Sequence, residues 1–340
     1  MNRRDRTMPT EPTRRDFIRA AAGASLAAAL PVSGCAQPKG GMAPPPATGG
    51  AAAPFRFVHL TDIHVQPELG GDKGLARALQ AVERLRPKPD FILTGGDNVF
   101  DVMESDAQRA KALFDLYRRV LADHTSLPVY STIGNHDVFG WRTKAGVTPQ
   151  TPGYGKALAK DELGLTQTYY TFDHKGWRFF VLDNILPGYG QRAYAGGLDP
   201  TQREWLAEQM QRTDARMPIA LCEHIPMLTV TPFWYERNFR NGDWTMGDGL
   251  ICGDASSRLA LYRTRNVRLS LSGHIHQLDR VDYRGATYIC DGAVSGAWWK
   301  GPRDFVEEGF GVIDVWPDGR VAHAYHDYGW DAVKPAEKPT

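Results

Sequence analysis

The sequence predicts an α/β fold in which two mixed β-sheets stack face to face and helices cover their outer faces, giving four layers, α/β/β/α. Three observations carry this. From Phe55 to about residue 133, short apolar runs alternate with amphipathic helical patterns, the signature of strands joined by crossover helices. The later half reads as mixed strands, with a hairpin signal at His174-Lys175-Gly176. The chain has 340 residues, 42% of them hydrophobic, enough to bury the core that stacked sheets need.

The elements follow in order. Phe57–Leu60 is a short apolar strand. A helical stripe of Leu75, Leu79, Val82 and Leu85 comes next and is stopped by Pro87 and Pro89. Phe91–Thr94 is a strand, and a helix from about Asp106 to Leu121 carries Leu113, Leu116, Tyr117 and Val120. Pro128–Ile133 is the third strand, and Tyr169–Phe172 and Trp177–Leu182 flank the hairpin turn. Asp199-Pro200 starts a helix, as an N-cap followed by proline at the first helical position. Ile219–Cys222 and Val267–Leu271 are strands, with others around Ala286–Cys290, Gly311–Val315 and Val321–Tyr325. No internal repeat is present.

The first 35 residues read as an address. Thr13-Arg14-Arg15-Asp16-Phe17-Ile18-Arg19 matches the twin-arginine export pattern, and Ala20 to Leu30 is a small-residue apolar run too short to span a bilayer. Val32-Ser33-Gly34-Cys35 resembles a lipobox, with Cys35 as the lipidated residue. Residues 36–54, with Pro44-Pro45-Pro46 and Gly49-Gly50, suit a flexible tether. The domain then spans 55–330 and a tail 331–340. The expectation is a periplasmic or membrane-anchored lipoprotein of the bacterial envelope, handled by the twin-arginine machinery and touching the membrane only through its lipid. Net charge is +1, and no basic stripe points to nucleic acid. Of the four cysteines, none forms a CxxC pair, which argues against a thiolate zinc site; Cys252 and Cys290 are candidates for a disulfide.

The chemistry lies directly after the apolar strands. Asp62 and His64 follow the first, Gly95-Gly96-Asp97-Asn98 the second, and Gly134-Asn135-His136-Asp137 the third. Glu223-His224 and Gly273-His274-Ile275-His276 follow the strands at 219 and 267. Carboxylate, amide and imidazole delivered to the carboxyl edge of a sheet suit a transition-metal site rather than an all-oxygen calcium site. Strand alternation is expected to place Asp62 with His64, and His274 with His276, on one side.

In order and spacing, these five blocks resemble the calcineurin-like metallophosphoesterase superfamily, whose pattern D-x-H, G-D, G-N-H-[DE], H, G-H-x-H runs here from Asp62 to His276. The resemblance implies two divalent ions per chain (Mn, Fe or Zn). One would be held by Asp62, His64, Asp97 and His276, the other by Asp97, Asn135, His224 and His274, with Asp97 bridging. It implies hydrolysis of a small-molecule phosphomonoester or phosphodiester by a metal-bridging hydroxide. His136 would act as the catalytic proton donor or charge stabiliser at the leaving group, with Asp101 or Asp137 to orient it. Phe100 stands where a purple acid phosphatase carries its iron-binding tyrosine, so a purple site is not expected. The rival reading is a non-catalytic phosphate-binding lipoprotein of the same fold, which the complete ligand set disfavours.

Other residues have plainer readings. Trp298 and Trp299 are candidates for a substrate wall, with packing as the alternative. Phe233, Trp234, Tyr235, Phe239 and Trp244 lie in a long insertion and are expected to pack. His59 and His174 are expected to be structural, His323 and His326 to be surface groups, and Cys222 to be a buried small residue.

Overall fold

The computed structural model describes residues 53–142, 146–247 and 249–332. The export signal, Cys35 and nearly all of the tether lie outside the described residues, as do residues 333–340. Among the described residues no helix is long and apolar enough to cross a membrane.

In chain order, β1 (Phe55–Leu60), helix α1 (Gly71–Arg84), β2 (Ile92–Thr94), α2 (Ala107–His124) and β3 (Val129–Tyr130) form the first half. A short helix α3 (Ala157–Glu162) leads to the hairpin β4 (Tyr170–His174) and β5 (Trp177–Val181) and a small hairpin β6 (Ile185–Pro187) and β7 (Tyr194–Gly196). Then come α4 (Pro200–Arg212), β8 (Ile219–Cys222), a two-residue-per-strand hairpin β9 (Phe239–Arg240) and β10 (Asp243–Trp244), and α5 (Ala255–Tyr262). The chain closes with β11 (Val267–Ser272), β12 (Asp279–Tyr283), β13 (Ala286–Cys290), β14 (Gly309–Val315) and β15 (Val321–Asp327).

Two main sheets result, with strand orders β15-β14-β1-β2-β3 and β12-β13-β11-β8-β5-β4. Within the first, β1, β2 and β3 are parallel; within the second, β5, β8, β11 and β13 are parallel. Alternation along each strand explains the layering. Phe55 and Phe57 of β1, Phe179 and Val181 of β5, and Ala220 and Cys222 of β8 share one core between the sheets. Val58 and Leu60 point the other way, against Leu75, Leu79 and Val82 of α1 and Leu113 and Tyr117 of α2. Ile219 and Leu221 turn outward to Leu206 and Met210 of α4 and Tyr262 of α5. The expected α/β/β/α order is thus built from strands apolar on both faces.

Local signals behave as their chemistry dictates. Asp106 caps α2 by accepting from the Arg109 N–H at 2.7 Å, and Asp199 caps α4 through the Gln202 N–H at 2.9 Å. The third strand is shorter than the apolar run predicted. Beyond Tyr130 the ladder is replaced by side chains: the Thr132 N–H donates to Thr94 Oγ1 and Asn98 Nδ2 donates to the Thr132 carbonyl. The small hairpins and β12 left no clear pattern in the sequence.

Candidate metal centre

The parallel strands end at one edge of the sandwich, and the residues predicted there converge. His64 Nε2 lies 3.1 Å from His276 Nε2, 3.6 Å from Asp97 Oδ2 and 3.9 Å from Asp62 Oδ1. His276 Nε2 is 3.3 Å from Asp62 Oδ1. Beside this set, His224 Nε2 lies 3.1 Å from both Asp97 Oδ2 and Asn135 Oδ1, and 3.2 Å from His274 Nδ1. Asp97 Oδ2 therefore belongs to both sets, while its Oδ1 accepts from the His136 N–H at 2.7 Å. All seven predicted ligands are brought together.

The expected strand alternation is not what brings them there. Asp62, His64, Asp97, His274 and His276 all have left-handed backbone, with φ between 44° and 73°. The sheet has ended by these positions, and the chain turns each side chain into the crevice at a cost of order 1–3 kcal/mol per residue. Long-range hydrogen bonds hold the turns: the Asp62 N–H donates to the Gly96 carbonyl and the His64 N–H to the Asp97 carbonyl. Only glycine fits between these loops. A Cβ on Gly134 would strike Asp97, and one on Gly273 would strike Thr61 and Asp62.

The donor set suits divalent cations. His276 Nδ1 faces the Gly296 carbonyl at 2.5 Å, His224 Nδ1 the Gly95 carbonyl at 2.8 Å, and His274 Nε2 the Gly249 carbonyl at 2.6 Å. Each of those nitrogens donates, so the opposite nitrogen turns its lone pair to the centre. His64 Nδ1 is buried without a partner. The spacing of 3.1–3.9 Å is that of ligand atoms around an ion at about 2.0–2.2 Å. With the outer nitrogens of both His224 and His274 donating to carbonyls, their inner nitrogens, 3.2 Å apart, call for a proton or a cation between or beside them.

Electrostatics agree. Burial by itself would raise Asp62 and Asp97, but the charges of His276 beside Asp62 and His224 beside Asp97 hold both well below the usual carboxylate range. His274 falls to about 4 through burial and its neighbour His224. His224 goes the other way, to about 9, because Asp97 outweighs the burial penalty. The carboxylate that favours a proton there favours a cation equally, and binding would displace that proton.

His136 lies just outside the two sets. Its ring stands edge-on to His64, centroids 4.9 Å apart, and Nδ1 is at ion-pair distance, 3.2 Å, from Asp101 Oδ1. Burial disfavours its charged form, yet Asp97 and Asp101 raise it to about 9. Of the two candidate carboxylates, Asp101 is the one beside the His136 ring. Asp137 is spent on backbone, accepting from the N–H groups of Asn98, Val99 and Gly134. The ring of Phe100 stands 6.2 Å from His64.

Several side readings need correction. Trp298 and Trp299 part company. Trp298 stands 4.7 Å from the His276 ring, at the rim of the centre, with the Arg303 guanidinium 5.1 Å from its own ring. Trp299 is fully buried and its Nε1 donates to the His64 carbonyl, so it supports the loop instead of facing substrate. Phe233, Trp234, Phe239 and Trp244 are half exposed, the rings of Phe233 and Phe239 each 5.2 Å from Trp244. The insertion is too thin to offer them a core. His323 is not a surface group: its Nε2 meets Asp291 Oδ1 at 2.7 Å, and His59 meets the other oxygen. Cys222, Cys252 and Cys290 are all buried free thiols.

Sequence reading missed the support behind His224. Glu223 is buried, and the Arg258 guanidinium donates to both its oxygens at 2.6 Å, with Asn184 Nδ2 at 2.9 Å. Arg258 lies 35 residues away on α5, so no local spacing marks the pair.

Known proteins with this pattern agree with the geometry. The profile of the calcineurin-like phosphoesterases matches residues 55–278. The human serine/threonine-protein phosphatase CPPED1 is 23% identical over 251 residues, which is 74% of this chain and 71% of that protein. The mouse CPPED1 is 22% identical over 250 residues, 74% of this chain and 72% of its own. A dimetal phosphatase structure from Danio rerio has a TM-score of 0.57 at 15% identity, covering 82% of this chain and 98% of that one. GAP50, the anchor in the inner membrane complex of Plasmodium, has a TM-score of 0.50 at 15% identity, covering 82% and 85%. This chain belongs to the calcineurin-like phosphoesterase family and is a metal-binding phosphoester hydrolase.

Proposed function

We propose that the chain hydrolyses small-molecule phosphate esters, monoesters or diesters, at two divalent ions, one held by Asp62, His64, Asp97 and His276 and the other by Asp97, Asn135, His224 and His274. The observation that carries this is Asp97 Oδ2, one oxygen lying 3.6 Å from His64 Nε2 and 3.1 Å from His224 Nε2. When bound, Mn, Fe or Zn ions would supply Lewis-acid charge and a more acidic water. The chain's own residues do the rest. Asp97 ties the two sets together and, through the His136 N–H, holds the loop that carries the acid. His136 gives the proton on its other ring nitrogen, Nε2, to the departing oxygen, while Asp101, 3.2 Å from Nδ1, steadies the ring. Trp298 walls the His276 side.

A second reading is a phosphoserine or phosphothreonine protein as substrate, supported by the name the CPPED1 relatives carry. The test is elemental analysis together with a panel of mono- and diesters and phosphopeptides, assayed with Mn²⁺, Zn²⁺ and Fe²⁺. Two metals per chain with turnover of small esters is expected; one tight metal, unaffected by Asn135→Ala and His224→Ala, would sink the dinuclear reading.

The setting proposed is the bacterial envelope, from Arg14-Arg15 and the lipobox ending at Cys35. Replacing both arginines by lysine should leave the protein in the cytoplasm. Membrane partition of a Cys35→Ser variant identical to wild type would rule out the lipid anchor.

A further inference from the structure

His64 differs from the other histidines of the two metal sets in how its ring is held. His224, His274 and His276 each give one ring nitrogen to a backbone carbonyl. His64 Nδ1 is buried with no hydrogen-bond partner among the described residues. A ligating imidazole is ordinarily aimed by the bond that its far nitrogen makes. The aim of His64 is left to the rings around it and to its backbone, which is left-handed at φ 44°, a conformation that costs energy to keep. Two hydrogen bonds bracket that turn. The His64 N–H donates to the Asp97 carbonyl at 2.9 Å, and the His64 carbonyl accepts from Trp299 Nε1, also at 2.9 Å.

Trp299 is itself firmly seated. Its indole is fully buried against the first turn of α1, where glycines make room for it. A Cβ on Gly71 would come within 2.8 Å of Nε1, and one on Gly74 within 2.0 Å of Cζ3. The Trp330 ring meets the indole edge-on, centroids 5.7 Å apart. The segment that ends in Trp299 also reaches two more ligands of the first set. Ser295 Oγ donates to the Asp62 carbonyl at 2.8 Å, and the Gly296 carbonyl accepts from His276 Nδ1 at 2.5 Å. The carbonyls that hold His224 and His274 belong to other segments, at Gly95 and Gly249.

We infer that Trp299 is a positioning residue for the first metal set: its indole N–H, seated on α1, does for His64 what a carbonyl behind the ring does for the other three histidines. The inference rests on the two-ion reading above and adds an unequal dependence to it. Loss of the Trp299 N–H loosens the ion of Asp62, His64 and His276 and leaves that of Asn135, His224 and His274 in place.

The test is Mn²⁺ binding to the full chain, measured by equilibrium dialysis with elemental analysis, which needs no turnover. In Trp299→Phe one of the two ions should bind about 10- to 100-fold more weakly, the usual cost of losing a bond behind a ligand. Pairing identifies that ion: Trp299→Phe should weaken the ion that remains in a His274→Ala chain and should leave unchanged the ion that remains in a His276→Ala chain. Benzothienylalanine placed at position 299 keeps the ring and removes only the N–H, and it should reproduce the loss with a Tm near wild type. Trp330→Phe trims the other ring of the pair, whose Nε1 has no hydrogen-bond partner among the described residues, and should lower the Tm with both ions retained. Two ions held at wild-type affinity without the N–H at position 299 would overturn the role of Trp299 and leave the two-ion reading standing. Equal weakening of both ions, or the same loss in Trp330→Phe, would reduce the effect to packing and overturn it as well. A wild-type chain that binds one Mn²⁺, unaffected by Asn135→Ala and His224→Ala, removes the two-ion reading and this inference with it.

Discussion

Two clusters of histidine and aspartate, neighbours in the chain and both buried, differ in what they leave unfinished. Asp291 meets His59 Nδ1 through one oxygen and His323 Nε2 through the other, each at 2.7 Å. Every charge there has an opposite charge beside it. In the centre built on Asp97, the outer nitrogens of His224, His274 and His276 are taken up by backbone carbonyls, so the inner nitrogens of His224 and His274 face each other at 3.2 Å and that of His276 faces His64 Nε2 at 3.1 Å. Residue type and burial are the same. What differs is the partner of the far ring nitrogen: a carbonyl there sends a lone pair inward, and a carboxylate completes the group locally. Cys222 Sγ lies 3.8 Å from His59 Nε2, which imitates a nucleophile with its base, but both are sealed from solvent and serve packing.

The contrast breaks most visibly at Asp97. Asp97→Asn should lower kcat by at least ~10⁴-fold, the loss of several kcal/mol of charge stabilisation, and should weaken metal retention in both sets. Elemental analysis that finds two ions retained in this variant would show that the shared oxygen is not essential. His59→Gln, in the completed cluster, should leave metal content as in wild type.

Next in size is His136→Ala. Metal content should stay near wild type while kcat falls by ~10²–10⁴-fold. The loss should be smaller for nitrophenyl phosphate, whose leaving group needs little protonation. Asp101→Asn should follow the same leaving-group trend more weakly. Asp137→Asn should instead lower stability, since its oxygens hold three backbone N–H groups. Equal effects of Asp101→Asn and Asp137→Asn on both stability and kcat would contradict this division.

The ion pair behind His224 sharpens the comparison from the stability side. Glu223 and Arg258 are buried, at 0% and 2% side-chain exposure. Glu223→Gln should cost about 3 kcal/mol by leaving the buried guanidinium only the longer contact with Asp254, at 3.4 Å. Chemical denaturation measures this, and the double variant Glu223→Gln, Arg258→Met should recover part of the loss.

The smallest expected effect is a slope with pH. Burial opposes the charged form of His59, but its hydrogen bond to Asp291 and the neighbouring Cys222 raise it from 6.5 to about 10. A group raised on folding contributes fully below its unfolded value and loses that contribution as pH rises through the folded one. Its share of stability should therefore be complete below about pH 6.5 and decline towards about pH 10. The Tm of His59→Gln should fall less steeply over that window than the Tm of wild type; parallel curves would remove His59 from the account.

Much of this molecule is legible along the chain because its signals are local. Apolar runs mark strands, Asp106 and Asp199 mark helix starts, and glycines mark turns. The five ligand blocks stand where strands end because a parallel sheet presents that edge to a crevice. What stayed hidden depends on residues distant in sequence. Trp298 and Trp299 are identical letters at adjacent positions, and only their left-handed backbone, φ 55° and 68°, and the loop of His64 beneath them send one to the rim and one to the core. Asp101 and Asp137 are equal candidates in the sequence, and what separates them is that Asp137 accepts from the N–H groups of Asn98 and Val99, on another segment, and of Gly134 in its own loop. His323 read as a surface group because Asp291 lies 32 residues before it. By itself the sequence determined which chemical groups are available and on which strand ends they stand, since periodicity and turn chemistry act over a few residues. Only the tertiary structure decided which nitrogen faces inward and which carboxylate meets His136, because a hydrogen-bond partner is chosen by what packs across from it.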